Sequence, residues 1–146
     1  MFVNVTSMPN SGQYGTFSNC TSLQTVILPP KLTSLSTATF TYCTSLKKVV
    51  FHEGYKTLVA NIFYRGSNNV ILDLPASLTT INSNVYEDTH TLIFVLRGNV
   101  GTFDGIKNTS KTAKIYAADE YLTNYQTYLT GNANLSKLYP LSEYDG

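Results

Sequence analysis

FSNCTSLQTVILPPKLTSLSTATFTYCTSLKKVVFHEGYKTLVANIF, residues 17–63, is one block written twice and begun a third time. Phe17, Phe40 and Phe63 recur at intervals of 23, and Cys20 and Cys43, Leu23 and Leu46, Val26 and Val49, and Leu28 and Phe51 keep that interval. Apolar residues at constant phase in a period of this length predict units that stack, each burying its apolar face only against its neighbours. Within a unit, Leu23, Val26 and Leu28 have the L-x-x-L-x-L spacing of a short strand, which Pro29-Pro30 ends because proline has no N–H for the ladder. Leu32 and Leu35 then turn inward on the returning side, and Phe40 closes the unit.

Working outward, the period divides the chain into units 17–39, 40–62 and 63–85. The third carries Leu72 and Leu74 at the strand sites, Pro75 in the place of Pro29, and Leu78 and Ile81 in those of Leu32 and Leu35. Carried backwards, the phase lands on Val3 and Val5, so residues 1–16 read as a partial first repeat with its strand at 2–5. No coil precedes that strand, so additional N-terminal repeats or edge-to-edge self-association are expected to complete this end. Beyond Tyr86 the period slips. An interval of 23 would put Arg97 in the core, whereas moving the frame back by one puts Phe94 and Leu96 inside and Val95 and Arg97 outside. Residues 86–117 therefore form a degenerate repeat, with a polar loop at 107–111 and a last short strand at 114–117.

The pattern then changes type. Tyr121, Leu122, Tyr125, Tyr128 and Leu129 share one helical face, Asp119 and Glu120 precede it, and Gly131 follows. The expected organisation is a solenoid over 1–118 and a C-terminal helix cap and tail over 119–146, with 137–141 extended. The fold class is an α/β solenoid, mostly β: a short right-handed coil of ~23-residue repeats with one parallel sheet.

Charged residues make up only 13% of the 146, and the net charge is +1, which gives no electrostatic case for nucleic acid. The longest apolar run, Leu92–Leu96, suits a buried strand rather than a membrane span, so no membrane insertion is expected. The opening MFVNVTSMPNSG lacks the basic start and apolar stretch of a signal peptide. No nucleophile–base spacing, phosphate loop or metal-ligand spacing is present, so no enzyme activity, cofactor or metal is expected. His52 and His90 read as turn residues, and Glu87-Asp88 as a solvated acidic pair. Cys20 and Cys43 read as free, buried thiols, because stacked side chains point the same way and hold their Cβ atoms too far apart for a disulfide.

The outward strand positions make the candidate binding face: Thr25, Ile27, Lys48, Val50, Ile71, Asp73, Val95 and Arg97. Ile27, Val50, Ile71 and Val95 would form an apolar stripe across the sheet. Such a stripe can mark a partner site, and β-branched residues equally suit strands for their own sake.

The motif F-x-x-C-T-S-L-x-x-[VI]-x-[LF]-[P], at Phe17–Pro29 and Phe40–Phe51 with a weaker copy from Phe63, resembles the BspA-like leucine-rich repeats of bacterial and protist surface proteins. The ending IYAADE at 115–120, the tyrosine-rich helix and KLYPL at 137–141 look like the terminal segment of gut-bacterial members. The resemblance implies a cell-surface or secreted, adhesin-type recognition module whose ligand is a protein or a glycan. The alternative is a structural assembly protein, of a virion or cell envelope, docking through its exposed coil edge.

Overall fold

Alternation of small apolar residues and short polar turns gives this chain many brief strands, all paired in parallel. The computed structural model describes residues 15–83, 85–87, 91–107 and 111–146. The strands are β1 (Thr25–Ile27), β2 (Lys48–Val50), β3 (Thr57–Leu58), β4 (Phe63–Tyr64), β5 (Val70–Leu74), β6 (Thr80–Ile81), β7 (Tyr86–Glu87), β8 (Leu92–Leu96), β9 (Thr112–Ala117) and β10 (Leu138–Pro140). One α-helix, α1 (Leu122–Tyr128), lies between β9 and β10. The expected strand at Val3 and Val5, with His90 and Asp88, lies outside the described residues.

The main sheet runs β1-β2-β5-β8-β9-β10. Its inward row is Val26, Val49, Leu72, Phe94, Ile115 and Leu138, in register throughout. All but Leu138 are buried, and Leu28, Phe51, Leu74, Leu96 and Ala117 bury one step further along. The intervals between successive strands are 23, 23, 22, 21 and 23, so the one-residue frame shift at Phe94 is real and a second follows at Ile115. Where a single sheet was expected, the returning sides add two short ladders, β3-β6 and β4-β7. Leu58 and Ile81, paired across the first of these, are both inaccessible to solvent.

Phe17, Phe40 and Phe63 form a column opposite the sheet. Their rings stack at centroid separations of 5.5 and 5.4 Å and are within 4° and 14° of parallel. The backbone binds across the same boundary: Phe17 N–H donates to Thr39 O (3.0 Å), Phe40 N–H to Ile62 O (3.0 Å) and Ile62 N–H to Val85 O (3.1 Å). Turn positions repeat as well. Asn19, Tyr42 and Arg65 adopt φ of 62°, 56° and 47°, and Ala38 and Asn61 adopt 59° and 54°. Gly98 is required by close approach rather than by φ, since a Cβ there would come within 2.7 Å of Ala76 Cα.

The C-terminal part departs from the expectation of a helix laid over a finished coil. Asp119 and Glu120 sit in a 3-10 turn (Asp119–Tyr121), and α1 is only two turns long. Tyr125 and Leu129 are fully buried. The Tyr125 hydroxyl donates to Gly98 O (2.7 Å) and accepts from Val100 N–H (3.1 Å), tying the helix to the preceding unit. The chain then returns as β10, which pairs with β9. Leu138–Pro140 thus adds the sixth strand, inside the segment expected to be cap and tail.

Candidate functional site

Because side chains alternate along a strand, the residues between the inward rows all face out of the main sheet. The register gives two outward rows. One is Thr25, Lys48, Ile71, Ile93 and Lys114; the other is Ile27, Val50, Asp73, Val95, Tyr116 and Tyr139. Seven of the eight residues picked from sequence fall in these rows, and Arg97 lies just past β8 on the same side. Ile71 does not continue Ile27 and Val50, however. Asp73 stands in that place, so the expected apolar stripe is broken by a carboxylate.

Accessibility splits the face in two. Thr25 is exposed and Ile27 retains 64% of its surface, whereas Asp73 retains 8% and Val95 none. Val95 was expected in solvent, and the chain itself covers it. After β10 a 3-10 turn (Leu141–Glu143) turns the backbone across the outward face, held by the Ser142 N–H donating to the Asp119 carboxylate (3.1 Å). Hydrogen bonds from the Ser142 hydroxyl and then its N–H hold the Asp119 carboxyl below its ordinary range. Tyr144 then lies between Lys48, whose Nζ is 5.5 Å from the ring centroid, and Tyr116, whose ring is 5.1 Å away. β2 and β9 are separated by β5 and β8, so a ring lying between Lys48 and Tyr116 spans the strands that carry Asp73 and Val95.

Under that ring sits an ion pair. Arg97 grips Asp73 with two parallel hydrogen bonds, Nε to Oδ1 at 2.7 Å and an Nη to Oδ2 at 3.1 Å, and Lys48 Nζ lies 3.8 Å from Oδ2. The hydrogen bond to Asp73 pushes Arg97 above its usual value against the opposing effect of burial, and Tyr144 adds a smaller push in the same direction. Two cations face one carboxylate, so the patch is net positive. The Tyr144 hydroxyl is buried and has no hydrogen-bond partner. A stranded hydroxyl costs about 1–3 kcal/mol, so the ring occupies this place at a penalty that phenylalanine would not incur.

Ile93, Lys114, Tyr116, Tyr139 and Tyr144 were missed in the sequence reading. Stepping from Asp73 by the true intervals reaches Val95, Tyr116 and Tyr139, but no C-T-S-L motif marks those units. Tyr144 follows the last strand, where periodicity has no reach.

At the other end, β1 is the first strand of the sheet. Its rim carries a recess of about 170 Å³ lined by Phe17, Leu23, Thr25, Val26, Ile27, Leu28 and Pro29. The lining is almost wholly apolar, which suits packing rather than chemistry. Among the described residues no three His, Cys, Asp or Glu side chains gather to hold a metal, and no helix is long and apolar enough to cross a membrane.

Both cysteines are free, but their burial differs: Cys43 is fully buried and Cys20 only half so. Cys43 Sγ donates to Phe17 O (3.0 Å), and burial, with the neighbouring Cys20, pushes its pKa up to about 11. The thiolate is the nucleophile, so Cys20 should react with a disulfide reagent in the native protein and Cys43 only after denaturation. Mass spectrometry of the labelled sites checks this, and equal rates at the two positions would contradict it.

Residues 4–117 match, in six copies, the family described as BspA type leucine rich repeat region. No curated protein and no solved structure matches the chain.

Proposed function

Since the chain belongs to the BspA-type leucine-rich repeat family, we propose that it is a non-catalytic recognition module of a cell-surface or secreted protein, reading a protein or glycan through the outward face of its main sheet. Leucine-rich repeats are protein-interaction scaffolds. The parallel connections support a right-handed solenoid, the hand that parallel crossovers take almost without exception. One observation carries the reading: Ile27, an isoleucine 64% exposed, stands beside Thr25 and Val50 on the part of the face that the chain's own C-terminal segment leaves open. A large exposed apolar side chain on a rigid sheet is the kind of anchor an interface uses.

The test is binding of the full chain to a glycan array and to a panel of extracellular proteins, followed by Ile27→Ser with Val50→Ser. The double variant should keep its circular dichroism and lose roughly tenfold or more in affinity, about 1.4 kcal/mol. Unchanged binding would exclude the open half of the face.

The apolar recess along β1 favours a second reading, an assembly protein that docks another unit or copy at this edge. Sedimentation separates the two. Association that Leu23→Asp abolishes would support edge docking, and a monomer that still binds its ligand would support recognition.

A further inference from the structure

We propose that the covered half of the outward face is a binding slot for a tyrosine flanked by carboxylates on an extended segment of a partner protein, and that Tyr144 fills it as a displaceable internal occupant. The proposal rests on the recognition reading only in taking this face as the binding surface; it uses different residues.

The slot is built from β2, β5, β8 and β9. Val95 is its floor, the Asp73–Arg97 pair its polar end, and Lys48 and Tyr116 its walls. An aryl ring fits because one wall is a cation over its face and the other is an aromatic ring. Carboxylates fit because Lys48 and Arg97 outnumber Asp73. The occupant seen has this composition, since Tyr144 stands between Glu143 and Asp145 in Leu-Ser-Glu-Tyr-Asp-Gly, residues 141–146.

Three observations make the occupant displaceable. The sheet is complete at β10, before the segment begins. The segment's hydrogen bonds to Asp119, from Ser142 and Leu141, converge on a single exposed carboxylate. The buried Tyr144 hydroxyl has no partner, so release restores its hydration.

The experiment uses the full chain and a fluorescein-labelled LSEYDG hexapeptide, read by anisotropy. The Tyr144→Ala chain should bind the peptide saturably, and binding should weaken with added salt. If the segment is closed about nine-tenths of the time, the intact chain should bind about tenfold more weakly. A peptide with its tyrosine replaced by alanine should not bind. Should Tyr144→Ala lose its fold, Asp119→Ala carries the test: it removes the acceptor for Ser142 and leaves the slot intact, so it too should raise affinity above that of the intact chain. Equal affinity of the intact and opened chains, no binding to either opened variant, or indifference to the peptide's tyrosine would overturn the proposal. So would a dimer of the intact chain that disappears in Tyr144→Ala, since the slot would then serve a second copy. Failure of the Ile27 and Val50 test leaves these outcomes unaffected, so the two readings fail separately.

Discussion

Replacing Phe40 by alanine should destabilise the fold by about 3–5 kcal/mol, a large part of what a domain of this size has. Phe40 has no exposed surface, and its ring is the middle of the column formed with Phe17 and Phe63. Removing it opens a cavity bounded by two flat rings that cannot close on each other without shortening the stack. The backbone ladder fixes that spacing through Phe17 N–H to Thr39 O and Phe40 N–H to Ile62 O. Urea denaturation measures the loss. Phe40→Leu should recover part of it by refilling volume, and a loss below about 1 kcal/mol for alanine would show that the column carries little of the stability.

The second large effect is alkaline. Burial pushes the Tyr55 hydroxyl up to about 12 against the opposing hydrogen bond from Leu35 N–H. Burial likewise pushes Tyr125 up to about 12, and Cys43 reaches about 11. In each case the folded value lies above the ordinary one, 10.0 for tyrosine and 9.0 for the thiol. Protonation of these groups therefore stabilises the fold fully below about pH 9. That contribution is lost as the pH rises through the folded values near 11 and 12. Shifts of this size correspond to roughly 2–3 kcal/mol per group, so the three together are comparable with the whole stability of the domain. Denaturant midpoints followed between about pH 8 and pH 12 should fall steeply in the upper half of that range. Tyr55→Phe, less stable at neutral pH because Leu35 N–H loses its acceptor, should lose less on going to high pH. An alkaline slope identical to that of the parent would show that Tyr55 is not one of the groups responsible.

The sequence was most legible where each unit repeats its own motif. Val26, Leu28, Val49, Phe51, Leu72 and Leu74 all point into the core of three adjacent parallel strands, and Phe40 and Phe63 bury opposite them. The frame shift at Phe94 was readable because the alternative would have buried Arg97. Val95 shows the limit. Periodicity states which side of the sheet a residue faces, and Val95 does face out, but it says nothing about what else crosses that side. Tyr144 lies across that side between Lys48 and Tyr116, and its place depends on where β10 leaves the chain. Asp73 stands where a constant interval of 23 from Ile27 and Val50 puts it, and the expected stripe missed it by taking Ile71, two residues earlier on the same side of the strand. Cys20 and Cys43 are equivalent in motif and unequal in burial, which the motif does not encode.

The turns with positive φ bear on how the chain folds as a whole. Left-handed backbone at a residue other than glycine costs about 1–2 kcal/mol, and this chain incurs it at Asn19, Tyr42 and Arg65 and again at Ala38 and Asn61. What offsets it is the next unit: Tyr42 N–H binds Tyr64 O, and Ala38 N–H binds Asn61 O. In the language of a one-dimensional lattice, each site is intrinsically unfavourable and the nearest-neighbour coupling is strong. Such a lattice has expensive boundaries between folded and unfolded stretches. It tends to populate its two extremes, all units ordered or none, and a unit cut out of the row would not hold its turn.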